Sequence, residues 1–67
     1  MEQTTIDNGN EFVIDTKTPT SEESIYFKDN GDHIAVSIEN SEGEGESFLV
    51  YKKAAADLHR WLSNHLA

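Results

Sequence analysis

Residues 25–36 read IYFKDNGDHIAV, two apolar runs around a polar knot, Lys28-Asp29-Asn30-Gly31-Asp32-His33. Asn30-Gly31 is the strongest two-residue hairpin signal, because both central positions of a type I′ turn need positive φ. A turn centred there sets Asp29 opposite Asp32, Lys28 opposite His33, Phe27 opposite Ile34, Tyr26 opposite Ala35 and Ile25 opposite Val36. Side chains alternate between the two faces of a strand, so Ile25, Phe27, Ile34, Val36 and Ile38 share one face. Tyr26, Lys28, His33, Ala35 and Ser37 share the other. A one-residue slip of one strand would scatter the apolar set, so pattern and turn agree on an antiparallel hairpin.

The same knot carries Asp29, Asn30 and Asp32, which raises a metal loop as the competing reading. An EF-hand loop needs oxygen ligands spaced along twelve residues and ending in a bidentate Glu. These three residues do not follow that spacing, and the flanking runs are strand-like. The knot is read as a hairpin tip.

Around this hairpin the remaining segments fall into place. Residues 48–51, FLVY, are a short β-prone run and extend the hairpin to a meander. Phe48 and Val50 point to one face and Leu49 and Tyr51 to the other, with no signal for which pair is inside. Residues 40–47, NSEGEGES, form the connecting loop, solvated by charge and loosened by glycine. Residues 11–16, EFVIDT, read as an edge strand, and residues 17–23, KTPTSEE, as a loop holding the proline. Residues 1–10 have Ile6 as their one large apolar residue besides Met1, and are expected to be a flexible acidic tail.

From Lys52 the period changes. At 100° per residue Ala54, Ala55, Leu58, Trp61, Leu62, His65 and Leu66 fall within an arc of roughly 140°. Lys52, Lys53, His59, Arg60, Ser63 and Asn64 take the opposite side. Ala and Leu favour helix, although Lys52 and Lys53 have the wrong sign for a helix start. A helix of about 14 residues is marginal alone, so it is expected to lie on the sheet. Burial of Leu58, Trp61 and Leu62 would contribute roughly 1.5–3 kcal/mol each, which makes Trp61→Ala the expected worst single change.

The expected architecture is therefore α+β: a small antiparallel meander of three to four strands, packed on one face by a C-terminal helix. Residues 1–10 are the tail and residues 11–67 the domain. A chain of 67 residues buries only about 60% of its unfolded surface, leaving no room for a nucleotide-binding fold or a deep cleft. The formal charge is −8, from 13 acidic and 5 basic residues. That balance repels phosphate backbones and anionic membranes. It is uneven: residues 1–46 hold twelve acids and two lysines, whereas the rest hold Lys52, Lys53 and Arg60 against Asp57. There is no cysteine, no apolar run near the roughly 20 residues of a membrane span, and no leader-like N-terminus. The expected compartment is the cytoplasm.

No catalytic set emerges. His59 and His65 are six apart and lie on different sides of the helix, whereas a helical zinc pair needs i, i+4 spacing. No serine sits in a G-x-S-x-G turn. The carboxylates lie in exposed segments, where nothing raises a pKa for acid–base work. The reading is a non-enzymatic protein-binding module without cofactor or metal, in the role of a regulator or inhibitor. Its expected partner is a protein with a basic surface, met by Asp29, Asp32, Glu39, Glu42, Glu44 and Glu46 in imitation of nucleic-acid charge, with Tyr26 and Tyr51 alongside. Two alternatives stand beside it. Tyr26 and Tyr51 on an open sheet face could stack single-stranded bases, though the charge disfavours nucleic acid. An exposed edge or apolar face could also pair two copies as a homodimer.

Overall fold

A computed structural model of the chain describes residues 1–66. Five strands run in chain order across one antiparallel sheet: β1 (Glu2–Asp7), β2 (Glu11–Lys17), β3 (Glu22–Asp29), β4 (His33–Asn40) and β5 (Gly45–Tyr51), followed by α1 (Lys52–Leu66). The fold is α+β, an antiparallel meander with a C-terminal helix, and it has five strands rather than three to four. The added strand comes from residues 1–10, expected as a flexible tail. Glu2–Asp7 pairs along its whole length with β2, and this moves β2 from the edge to the interior.

The turn into β2 explains the difference. Asp7-Asn8-Gly9 repeats the Asp29-Asn30-Gly31 of the hairpin tip. In each the first Asp accepts the glycine N–H through Oδ1 at 2.9 Å, and the glycine has positive φ, 84° at Gly9 and 96° at Gly31. The side chain takes up a turn donor that strand pairing cannot reach, and the glycine adopts a backbone that a Cβ would strain. The two turns touch, the Asp29 N–H donating to the Asn10 carbonyl at 2.9 Å.

At the tip Asn30 keeps an ordinary φ, so the turn is not type I′. Gly31 and Asp32 are its central residues, closed by the Asn30 N–H to the His33 carbonyl at 3.0 Å. Glycine alone at the first central position is the type II′ pattern. The centre of the turn thus moves by one residue and every partner by two: Phe27 faces Val36 and Ile25 faces Ile38. An even shift preserves parity, so Ile25, Phe27, Ile34, Val36 and Ile38 still share a face.

Two cross-strand rows hold the sheet. On one face Phe12, Phe27, Val36 and Phe48 stand side by side across β2 to β5. Phe27 and Phe48 flank Val36 and leave it 4% exposed. On the other face Ile6, Val13 and Tyr26 align, and Val13 in the middle is 5% exposed. Among the described residues these two valines are the whole fully buried apolar core.

The helix does not lie across the sheet. Its backbone comes close to β4 and β5 and not to β1, β2 or β3, and none of its described residues is buried. Lys52 reaches Asp29 at 3.0 Å on the rim of the Phe12–Phe48 face. Beyond Ala55, which is half-buried, the helix projects, and Trp61 remains 55% exposed with Leu58 and Leu62 also open. The expectation of a helix packed over the sheet, with Trp61 as its anchor, is corrected here. Strand β5 passes directly into the helix at Tyr51–Lys52, with no loop to fold it back.

Candidate functional site

Three surfaces could carry function, and the sheet separates them. The first is the end holding the β2–β3 and β4–β5 connections. Antiparallel pairing gathers there the start of β1, the end of β2, the start of β3, the end of β4 and the start of β5. Glu2, Asp15, Glu22, Glu23, Glu39, Glu42, Glu44 and Glu46 collect at this end against one lysine, Lys17, which pairs with Glu22 at 3.4 Å. Seven of the formal eight negative charges therefore belong to one end, and the helix end is nearly neutral. Glu23, Glu39, Glu44 and Glu46 line an open concavity of about 460 Å³ with Ile38, Asn40 and Gly45.

The β4–β5 connection is tighter than a free loop. Asn40 Oδ1 accepts the N–H groups of Glu42 and Glu44, both at 3.0 Å, and the Asn40 N–H donates to the Glu44 carbonyl at 2.9 Å. One side chain thus organises the acidic turn, as Asx turns do. Strand β5 begins at Gly45, where the absence of a Cβ lets the backbone pass against the Ile38 carbonyl.

The second surface is the opposite end. Asp29 accepts from Gly31 and Lys52, and this holds its carboxyl below the ordinary value, the backbone donor acting most strongly. Asp32 lies 2.7 Å from His33 Nδ1, and that hydrogen bond lowers its carboxyl likewise. The expected Asp29–Asp32 opposition does not occur: Asp29 faces Ile34. Both carboxylates are already engaged, whereas Glu39, Glu42, Glu44 and Glu46 have no ion pair among the described residues. The candidate acidic residues therefore form two groups at opposite ends of the sheet.

Tyr26 and Tyr51 share a face but not a row. Tyr26 stands opposite Ser37, while Tyr51 stands opposite His33, with ring centroids 6.2 Å apart. The same face carries Glu2, Glu11, Asp15, Glu22 and Glu39 against Lys17 and Lys28, an adverse field for phosphate.

The third surface is apolar; the sequence raises an apolar face as a homodimer surface but does not name its residues. It comprises the Phe12–Phe48 face of the sheet and the outer stripe of the helix. Phe12, Ile38 and Phe48 are exposed on the first, and Leu58, Trp61, Leu62 and Leu66 on the second. The Trp61 ring stacks on the His65 ring with centroids 4.2 Å apart, while His65 Nδ1 lies 2.8 Å from the Trp61 carbonyl oxygen. The apolar periodicity of the helix is visible in the sequence, where it predicts contact between helix and sheet.

Among the described residues no three His, Asp or Glu converge as a metal site requires, and no helix is long and apolar enough to cross a membrane. Comparisons with protein-family models, with curated proteins and with solved structures find no match.

Proposed function

We propose that the protein is a non-enzymatic protein-binding module whose binding surface is the apolar sheet face with the helix stripe. The observation that carries this is surface area. The chain exposes 5346 Å². A folded monomer of 7.5 kDa should expose only about 4,200 Å², so roughly 1,100 Å² lies bare beyond the norm. Monomers seldom expose apolar patches of more than a few hundred Å², and larger ones mark association sites. Associating proteins of standard interface size each bury about 800 Å², which is less than this excess of total surface, polar and apolar together.

A second reading concerns the acidic end, where eight carboxylates meet one lysine. It docks into a basic cleft on a partner and excludes nucleic acid from it, in keeping with a regulator or inhibitor. Such contacts speed association and weaken with salt.

One experiment separates the two. Native lysate is passed over immobilised wild type, Phe48→Glu, and the triple variant Glu39→Gln, Glu44→Gln, Glu46→Gln, at low and at high salt. Retention lost with Phe48→Glu and kept at high salt supports the apolar surface. Retention lost with the triple variant, and wild-type retention reversed by salt or double-stranded DNA, supports the charge reading. Equal retention by all three contradicts both where the chain is monomeric.

A further inference from the structure

We propose that the apolar surface is covered by a second copy of this chain, packed sheet face to sheet face about a two-fold axis with the helix stripe of each copy closing over the other. This rests on the apolar surface being the binding surface and names its occupant. A sheet with one apolar face needs a second layer, and two facing sheets with interdigitated side chains are one of the stable solutions. In this chain the only other element is the helix, and it touches β4 and β5 without covering β2 or β3.

Area selects the class of partner. The excess of roughly 1,100 Å² per chain, doubled, gives about 2,200 Å², which falls in the range of permanent homodimers rather than of transient contacts below about 1,200 Å². Charge selects the partner itself and its orientation. The middle row of the face, Phe27, Val36 and Phe48, is uncharged; Glu23 and Glu46, the latter opposite Ile38, stand at its acidic end, and Asp7, opposite Phe12, and Asp29, paired with Lys52, stand at the other. A basic partner would be drawn to that end and leave the centre bare. An identical face matches the centre, apolar against apolar. A two-fold axis lying between the two sheets and running across the strands points the two acidic ends in opposite directions. Each acidic end then lies towards the other copy's nearly neutral helix end, where Lys52, Lys53 and Arg60 are paired with Asp29 and Asp57, and the two acidic ends are kept apart. This arrangement is isologous and closed, so it makes a dimer and not a filament.

The test is sedimentation of the purified full chain at micromolar to millimolar concentration, as wild type, Phe48→Glu and Leu62→Glu. The wild type is expected at twice the 7.5 kDa monomer mass, with each variant shifted to monomer by about 100-fold or more in dissociation constant. Circular dichroism checks folding; Leu62 is already exposed on the helix, so its variant stays informative if Phe48→Glu fails to fold. A wild-type monomer overturns the proposal. So does a dimer indifferent to both substitutions, which would place the contact on a sheet edge. A wild-type monomer that still retains a lysate protein through Phe48 leaves the binding surface standing with another occupant. A monomer that retains none removes both.

Discussion

Val36 and Val13 show how little interior this chain has. Each is the middle member of a cross-strand row and is buried by its neighbours on adjacent strands. Val36→Ala should therefore cost roughly 1–3 kcal/mol and lower the urea midpoint at any protein concentration. Trp61→Ala should behave differently. With the ring half exposed, the dilute monomer should lose well under 1 kcal/mol, whereas association should weaken sharply. Urea melts of both variants across a range of concentrations separate these outcomes. Asp29 supplies a pH dependence. Its carboxyl is held below the ordinary 3.8 by the Gly31 N–H and then by Lys52. A depressed folded value means that its stabilising contribution is complete above the unfolded value and is lost as pH falls through the folded one. Melts from pH 7 down to pH 2 should thus show a shallower acid limb in Asp29→Asn than in wild type. Equal limbs would mean that the contacts of Asp29 do not differ in strength between its two protonation states.

The elements differ in how legible they were. The β3–β4 hairpin could be read because apolar alternation and turn chemistry agreed, and its face assignment survived a displaced turn because partners shift in steps of two. Strand β1 was missed because it offers only Ile6 to an apolar pattern. Its β-branched Thr4-Thr5-Ile6 run, followed by a second Asp-Asn-Gly, was the available signal. The helix was legible as a helix, but its location was not, since amphipathic periodicity tells which side seeks cover and not what covers it. The acidic end could not be seen as a unit either, because Glu2, Asp15, Glu22 and Glu46 are brought together only by pairing across five strands. Two outcomes test the elements. Gly45→Ala should displace the start of β5 and destabilise the chain by about 1–3 kcal/mol, since its Cβ meets backbone that cannot rotate away. Hydrogen exchange in residues 58–66 should be fast in the dilute chain and slow markedly on concentration, because a helix of this length is unstable without a packed face. Exchange that is slow and independent of concentration would show the helix held by its own sheet.

For the whole molecule, area and charge both point to association. The sheet forms from rows that bury two valines fully and leave both faces open, the Phe12–Phe48 face with fewer charged side chains than the other, and most of the net charge lies at the end away from the helix. A dimer built on that face would present an acidic end at each pole, giving two docking points for basic partners and an avidity gain where two sites lie within reach. Trp61 reports on this directly, as the one tryptophan in the chain. The decisive measurement is its emission spectrum, recorded at constant pH while the purified protein is diluted from millimolar to nanomolar concentration. A blue-shifted band that moves to the red over the range in which sedimentation shows the dimer dissociating is the expected result. A band that stays red at every concentration would mean that the ring is never covered by a second copy. A band that stays blue in the monomer would mean that the helix folds onto its own sheet, and either result would contradict the face-to-face dimer.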